Sequence, residues 1–157
     1  MTQTLSEPRF KMYKASPELY QAMMALETAS RKDLEPDLAE LIKTRASQIN
    51  RCALCLDMHI RDARKHGVDE QKLDLLPAWE EAGDIFTPRE QAALALTEAI
   101  TVLGHGGVTD EVYRRAVAEF SERELGQVVA MAVTINAWNR INAFAQTPPP
   151  KRDNQVP

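Results

Sequence analysis

Cys52, Cys55 and His59 occupy positions i, i+3 and i+7 of the segment Ile49-Asn50-Arg51-Cys52-Ala53-Leu54-Cys55-Leu56-Asp57-Met58-His59. On a helix, that spacing puts the three side chains on one face. A cysteine is mostly protonated at neutral pH, and only its thiolate attacks. The first turn of a helix offers free N–H groups and the positive end of the dipole, both of which stabilise an anion. A histidine one turn beyond Cys55 is within reach of a direct or water-bridged proton transfer. Lowering a thiol pKa by about two units takes roughly 2.7 kcal/mol of differential stabilisation, which a helix terminus and a histidine can supply together. Two Cα atoms three residues apart on a helix also lie at roughly the 5–6 Å that a disulfide prefers, so one sulfur can attack and the other resolve. The pair therefore predicts thiol redox chemistry with His59 as its base. Two other readings fit the same residues. Cys52, Cys55 and His59 supply three ligands of a zinc site, although no second CxxC or histidine pair completes a structural one. Two half-buried helical cysteines also serve simply as small apolar side chains.

The elements that must carry this face are all helices. Ser16-Pro17-Glu18 opens one, with Ser16 as cap and Leu19, Met23 and Leu26 at helical spacing. Pro36 opens a second, in which Leu38, Leu41, Ile42, Arg45 and Ile49 form one stripe. The cysteine helix runs from about Cys52 to His66, with Gly67 as its left-handed cap and Val68 placed for the accompanying apolar contact. Beside the reactive face lies an apolar stripe of Ala53, Leu56, Ile60 and Ala63, which predicts thiols at the edge of the core, partly shielded but reachable. Asp69–Leu76 reads as a short helix and Pro77-Ala78-Trp79 as a turn or another. Thr87-Pro88-Arg89-Glu90 and Ser121-Glu122-Arg123-Glu124 are two capping boxes. The first heads a helix that buries Ala92, Leu96, Ala99 and Leu103 before Gly104-His105-Gly106-Gly107 breaks it. A helix from Thr109 or Asp110 to about Phe120 precedes the second box, which heads a long final helix with the stripe Leu125, Val128, Val129, Ala132, Ile135, Trp138, Ile141 and Ala145. The expected fold is all-α, a compact bundle of six to eight helices in one domain over residues 1–146. Residues 147–157 are proline-rich and charged, and read as a disordered tail or a strap over a neighbour.

Composition narrows the function classes. The chain of 157 residues is long enough for a real core. Its net charge of −4, with basic residues scattered among acidic ones, argues against a nucleic-acid partner. No apolar run approaches the roughly 20 residues of a membrane span. Met1–Lys14 is polar and charged, unlike a secretory signal. Two cysteines cannot staple a secreted framework of this size, so a cytoplasmic protein is expected.

The stretch from Glu40 to His59, continuing to about Gly67, resembles the core motif of the AhpD-like alkylhydroperoxidases of the carboxymuconolactone decarboxylase superfamily. The capped helix after Thr87 and the segment Ile135-Asn136-Ala137-Trp138-Asn139-Arg140 resemble its small single-domain members, so the likeness covers most of the chain after residue 36. In that family a glutamate twelve positions before the first cysteine joins a histidine four positions after the second in a proton relay. Glu40 and His59 match those positions. The resemblance implies an AhpD-like helical bundle with the CxxC at the start of a central helix. It further implies a thiol-dependent hydroperoxide reductase with no bound cofactor, in which Cys55 attacks the peroxide and Cys52 resolves the sulfenic acid. An external dithiol of dihydrolipoamide or thioredoxin type then restores the pair. A homotrimer, or a hexamer of trimers, is implied as well. Leu54 stands where some members carry a second histidine, a departure that bears on peroxidase efficiency but not on the relay.

Further residues carry weaker signals. Ser47 and Asn50 flank the cysteine turn and are placed to orient it, while Asn50 also suits a simple cap. His66 suits a helix C-terminus. His105 lies in a loop that either lines the pocket or is plain surface. Trp79 and Trp138 read as core or subunit contacts, and Asn136, Asn139 and Asn142 as marks of an oligomer interface. Two alternative functions stay open: a carboxymuconolactone-type decarboxylase, whose chemistry needs no cysteine pair, and a non-catalytic oligomer switched by the same disulfide.

Overall fold

The computed structural model describes residues 7–152, and every element among them is helical. The order is α1 (Met12–Ala15), α2 (Pro17–Ser30), α3 (Pro36–Ile49), α4 (Ala53–Lys65), α5 (Glu70–Leu75), two short 3-10 turns (Leu76–Glu81 and Gly83–Ile85), α6 (Pro88–Thr101), α7 (Asp110–Glu119) and α8 (Glu122–Ala145). No helix among the described residues is long and apolar enough to cross a membrane. The stretch Met1–Lys14 and the tail from Thr147 both extend beyond the described residues.

Helix α3 is the axis of the molecule, packed by α4, α6 and α8 together. One side of it, with Leu38, Ala39 and Ile42, joins Ala92, Leu96, Ala116, Val128 and Met131 from α6, α7 and α8. Its other side contributes Leu41 to a second core with Ala63, Leu73, Trp79, Phe86 and Leu94. A helix buried on both sides has no solvent face for its polar residues. Glu40, Lys43, Thr44 and Ser47 are buried with the apolar ones.

The capping signals act as the sequence predicts at Thr87 and Ser121, where both halves of each capping box form. Gly67 adopts φ +80°. Its N–H reaches Arg64 O at 3.1 Å and the Val68 N–H reaches Ala63 O at 3.0 Å, closing a Schellman motif at the end of α4. Ser16 occupies the N-cap of α2 without a side-chain capping bond. Four apolar expectations fail. Leu19 and Leu26 are exposed, because α2 lies on the surface and buries only Met23 and Ser30. Leu103 is 70 % exposed because α6 ends at Thr101, before the chain reaches it. Val129 of α8 is likewise exposed.

A second Schellman motif ends α3, and it builds the cysteine corner. The Arg51 N–H bonds Gln48 O at 3.2 Å and the Cys52 N–H bonds Ser47 O at 3.1 Å. Arg51 holds φ +54° at the position glycine prefers. A left-handed conformation costs a non-glycine residue about 1–2 kcal/mol, partly offset by the greater freedom of an unfolded glycine. Arg51→Gly is therefore expected to stabilise the protein by about 0.5–1 kcal/mol, read as a higher urea midpoint at unchanged m-value.

Candidate active site

Cys52 closes α3 and at the same time is the N-cap of α4. The Cys55 N–H donates to Cys52 Sγ at 3.4 Å, so sulfur takes the capping place usually held by an oxygen. The two sulfurs are joined in a disulfide, with the Cα atoms 5.2 Å apart. Asn142 of α8 directs its amide Nδ2 to Cys55 Sγ at 3.8 Å. The pair sits deeper than the sequence suggests. Cys52, Cys55, His59 and Ala63 are themselves the buried face of α4, whereas Ala53 is exposed and Leu56 and Ile60 are only half-buried. The reason is that α4 turns its reactive face onto the already polar flank of α3.

Glu40 lies on that flank. His59 and Glu40 are both buried, and His59 Nδ1 lies 2.9 Å from Glu40 Oε2. Burial pushes the Glu40 carboxyl up, but the hydrogen bond from His59 and the charge of Lys43 outweigh it and hold the group below the usual glutamate range. An ionised carboxylate only accepts hydrogen bonds, so Nδ1 carries the hydrogen. In the neutral imidazole Nε2 is then the free base. The structure thus brings Glu40, Cys52, Cys55 and His59, all named from sequence, to the contact between α3 and α4.

Sequence reasoning missed the second half of the cluster. Lys43 Nζ, fully buried, lies 3.1 Å from Glu40 Oε1 and 3.3 Å from Glu27 Oε1 of α2. Glu27 also accepts from Arg31 at 2.8 Å and from Trp138 Nε1 at 3.2 Å. Burial raises the Glu27 carboxyl, while Lys43 and Arg31 more than reverse that and leave it below its ordinary value. The only sequence signal was the i, i+3 spacing of Glu40 and Lys43, which on most helices marks a solvated pair.

The asparagines of α8 hydrogen-bond at the same corner. Asn50 Nδ2 donates to Asn136 Oδ1 and Asn139 Oδ1, each at 2.9 Å. Asn139 Nδ2 donates to Ser47 Oγ at 3.0 Å, and Asn136 Nδ2 to Thr101 Oγ1 at 2.9 Å. Their buried amides therefore find partners within the chain, and they fix Asn50 and Ser47 on either side of the turn.

A cavity of about 450 Å³ opens onto this site. Cys55 and His59 line it and Cys52 does not. Its walls are largely apolar, with Tyr20, Met24, Leu54, Met58, Trp138 and Ile141, while Glu27, Arg31, Asp62 and Asn142 supply polar groups. The segment before α1 roofs it. Arg9 N–H bonds Ala145 O at 3.0 Å, and the Phe10 ring meets Phe144 edge-on at 5.2 Å. His105 lies exposed in the loop after α6, away from the cavity lining, and His66 caps the end of α4. Glu40, His59 and Asp62 each bring one ligand-type atom within 4.8 Å of the others. Glu40 there is already committed to His59 and Lys43. In the disulfide neither sulfur is a thiolate, so the cysteine ligands of the zinc set considered from sequence belong to the reduced protein alone.

Residues 17–99, from α2 into α6, match the carboxymuconolactone decarboxylase family, and the chain belongs to it. The chain is 41% identical over 135 residues to the uncharacterized protein YdfG of Bacillus subtilis, covering 85% of this chain and 91% of that one. A crystal structure of an Agrobacterium tumefaciens protein of unknown function, for which the role of antioxidant defence protein AhpD has been suggested, superposes with a TM-score of 0.87 at 36% identity. That match covers 93% of this chain and 100% of the other. An uncharacterized peroxidase-related protein from Silicibacter shares the fold at a TM-score of 0.77 and 15% identity, over 96% of this chain and 95% of that one. The fold is thus the AhpD-like all-α bundle, and a cysteine pair on it is consistent with peroxide-related redox chemistry.

Proposed function

We propose that this protein reduces organic hydroperoxides with Cys55 as nucleophile, Cys52 as resolving thiol, and His59 with Glu40 as proton relay. The observation that carries the reading is that Cys55 and His59 open on one cavity while Cys52 lies behind them. In the reduced enzyme His59 Nε2 takes the Cys55 thiol proton, and Glu40 stabilises the imidazolium. The thiolate attacks one peroxide oxygen and the O–O bond breaks. Cys55 becomes a sulfenic acid, and the departing alkoxide takes a proton to leave as an alcohol. Cys52 displaces hydroxide from the sulfenic sulfur, forming the disulfide and one water. A dithiol donor then reduces that disulfide by exchange and is itself oxidised to a disulfide.

The cavity supports an organic substrate, since about 450 Å³ of mostly apolar space is many times what hydrogen peroxide fills. It also favours a slender donor of dihydrolipoamide type over a thioredoxin-like protein surface, because both cysteines are almost wholly buried. The test is a coupled assay with cumene hydroperoxide and dihydrolipoamide. Turnover should exceed that with hydrogen peroxide by about tenfold in kcat/KM, the worth of roughly 1.4 kcal/mol of added apolar contact. Absence of hydroperoxide consumption with any dithiol would sink the reading.

A further inference from the structure

The relay of Glu40 and His59 is joined by three charged side chains that it does not itself require, and their arrangement is specific. Glu40 presents two oxygens to two kinds of partner. Oε1 faces Lys43 at 3.1 Å and Arg31 at 3.7 Å, and Oε2 faces His59. Lys43 is fully buried and held on its other side by Glu27, which Arg31 and Trp138 hold in turn. A fully buried ammonium between two carboxylates is costly to desolvate unless both stay ionised, so the set stands or falls together.

We propose that Lys43, clamped between Glu27 and Glu40, is a positioning residue that reserves Glu40 Oε2 for His59 and sets the net charge against which the relay works. This deepens the function proposed above, since it concerns how that same relay is charged. With His59 neutral, Glu27 and Glu40 balance Lys43 and Arg31, and the cluster carries no net charge. The other ionisable groups that line the cavity with His59 are Asp62 and Cys55 on its own helix, Lys11 and Tyr13 from the segment that roofs it, and Tyr20 of α2. Asp62 is paired with Lys65 at 2.9 Å, and α8 contributes the uncharged Trp138 and Asn142. Removing Lys43 leaves one uncompensated negative charge. That holds protons more tightly on both the imidazole and the thiol. Neutralising Glu27 leaves one uncompensated positive charge and acts in the opposite direction.

The test is the pH dependence of iodoacetamide alkylation of Cys55 in the reduced Cys52→Ser protein, where a single thiol is read and no peroxide is needed. Lys43→Met should move the acid limb up by about one pH unit, and Glu27→Gln should move it down by a similar amount. Lys43→Arg, which keeps the charge, should restore the parent profile. Opposite shifts support the proposal; shifts of the same sign, or none, overturn it. Where circular dichroism shows that Lys43→Met does not fold, Glu27→Gln decides alone: a downward shift supports the clamp and an unmoved limb overturns it. Opposite limb shifts in a protein that turns over no hydroperoxide would remove the proposed reaction and leave the clamp standing.

Discussion

Cys55→Ser is expected to lower hydroperoxide turnover by roughly a thousandfold or more with the fold intact, whereas Cys52→Ser retains the first half of the cycle. The two outcomes differ because the two sulfurs occupy different places. Cys55 lines the cavity beside His59, so its hydroxyl replacement removes the nucleophile. Cys52 lies at the junction of α3 and α4, outside the cavity lining, and in the proposed cycle meets peroxide only through Cys55. Without Cys52 the enzyme should consume one equivalent of hydroperoxide and stop as the Cys55 sulfenic acid, which dimedone traps and mass spectrometry detects. Relative to the reduced parent, neither change should cost much stability, since a hydroxyl can take over the N-cap at position 52 and is nearly isosteric at 55. Full multiple turnover in Cys55→Ser, or a dimedone adduct on Cys52 in the parent protein, would reverse the assignment.

The second large effect concerns Glu40, whose replacement is expected to change stability and chemistry at once. Glu40→Leu leaves His59 without its acceptor and removes one of the two carboxylates around Lys43. Breaking a buried ionic set by deleting one member typically costs about 3–5 kcal/mol. Glu40→Gln loses the same charge but keeps a carbonyl that accepts from His59, and should cost about 1–2 kcal/mol less than Glu40→Leu. In turnover the order narrows, because neither side chain can stabilise the imidazolium, and both variants should fall by about a hundredfold. Urea denaturation and steady-state kinetics on the two variants separate the roles. Equal stability losses would show that the charge, which both variants lack, holds the cluster and that the hydrogen-bonding carbonyl adds nothing. Unimpaired turnover in Glu40→Gln would remove it from the relay.

How much of this is readable from the chain depends on what kind of signal each residue leaves. Helix ends were legible because caps are local: Thr87-Pro88-Arg89-Glu90, Ser121–Glu124 and Gly67 each encode their bond within four residues. The cysteine face was legible because three reactive residues repeat at helical spacing, and Glu40 entered only through the family motif. Burial was harder. Leu19 and Leu26 sit at the spacing of a core stripe on a helix that remains at the surface, while Ala53, Leu56 and Ile60 mimic a core stripe beside the true one. What decides between such stripes is the neighbouring helix, and local periodicity contains no information about it. Lys43 and Glu27 were invisible for the same reason. They are 16 residues apart in sequence, and only the fold, which packs α2 against α8, brings Lys43 Nζ to 3.3 Å from Glu27. The amides of Asn136 and Asn139 are equally ambiguous until Asn50 and Ser47 are seen opposite them.

The shared residue between α3 and α4 has a consequence for how this chain can change. Because Cys52 ends one helix and caps the next, no slack separates them. One residue gained or lost between Asn50 and Ala53 would turn α4 by about 100° about its axis and carry His59 away from Glu40. The corner can therefore exchange residue identities, as Arg51 in a glycine's place illustrates, but not residue number. Length, rather than composition, is the inherited quantity that keeps the two helices in phase.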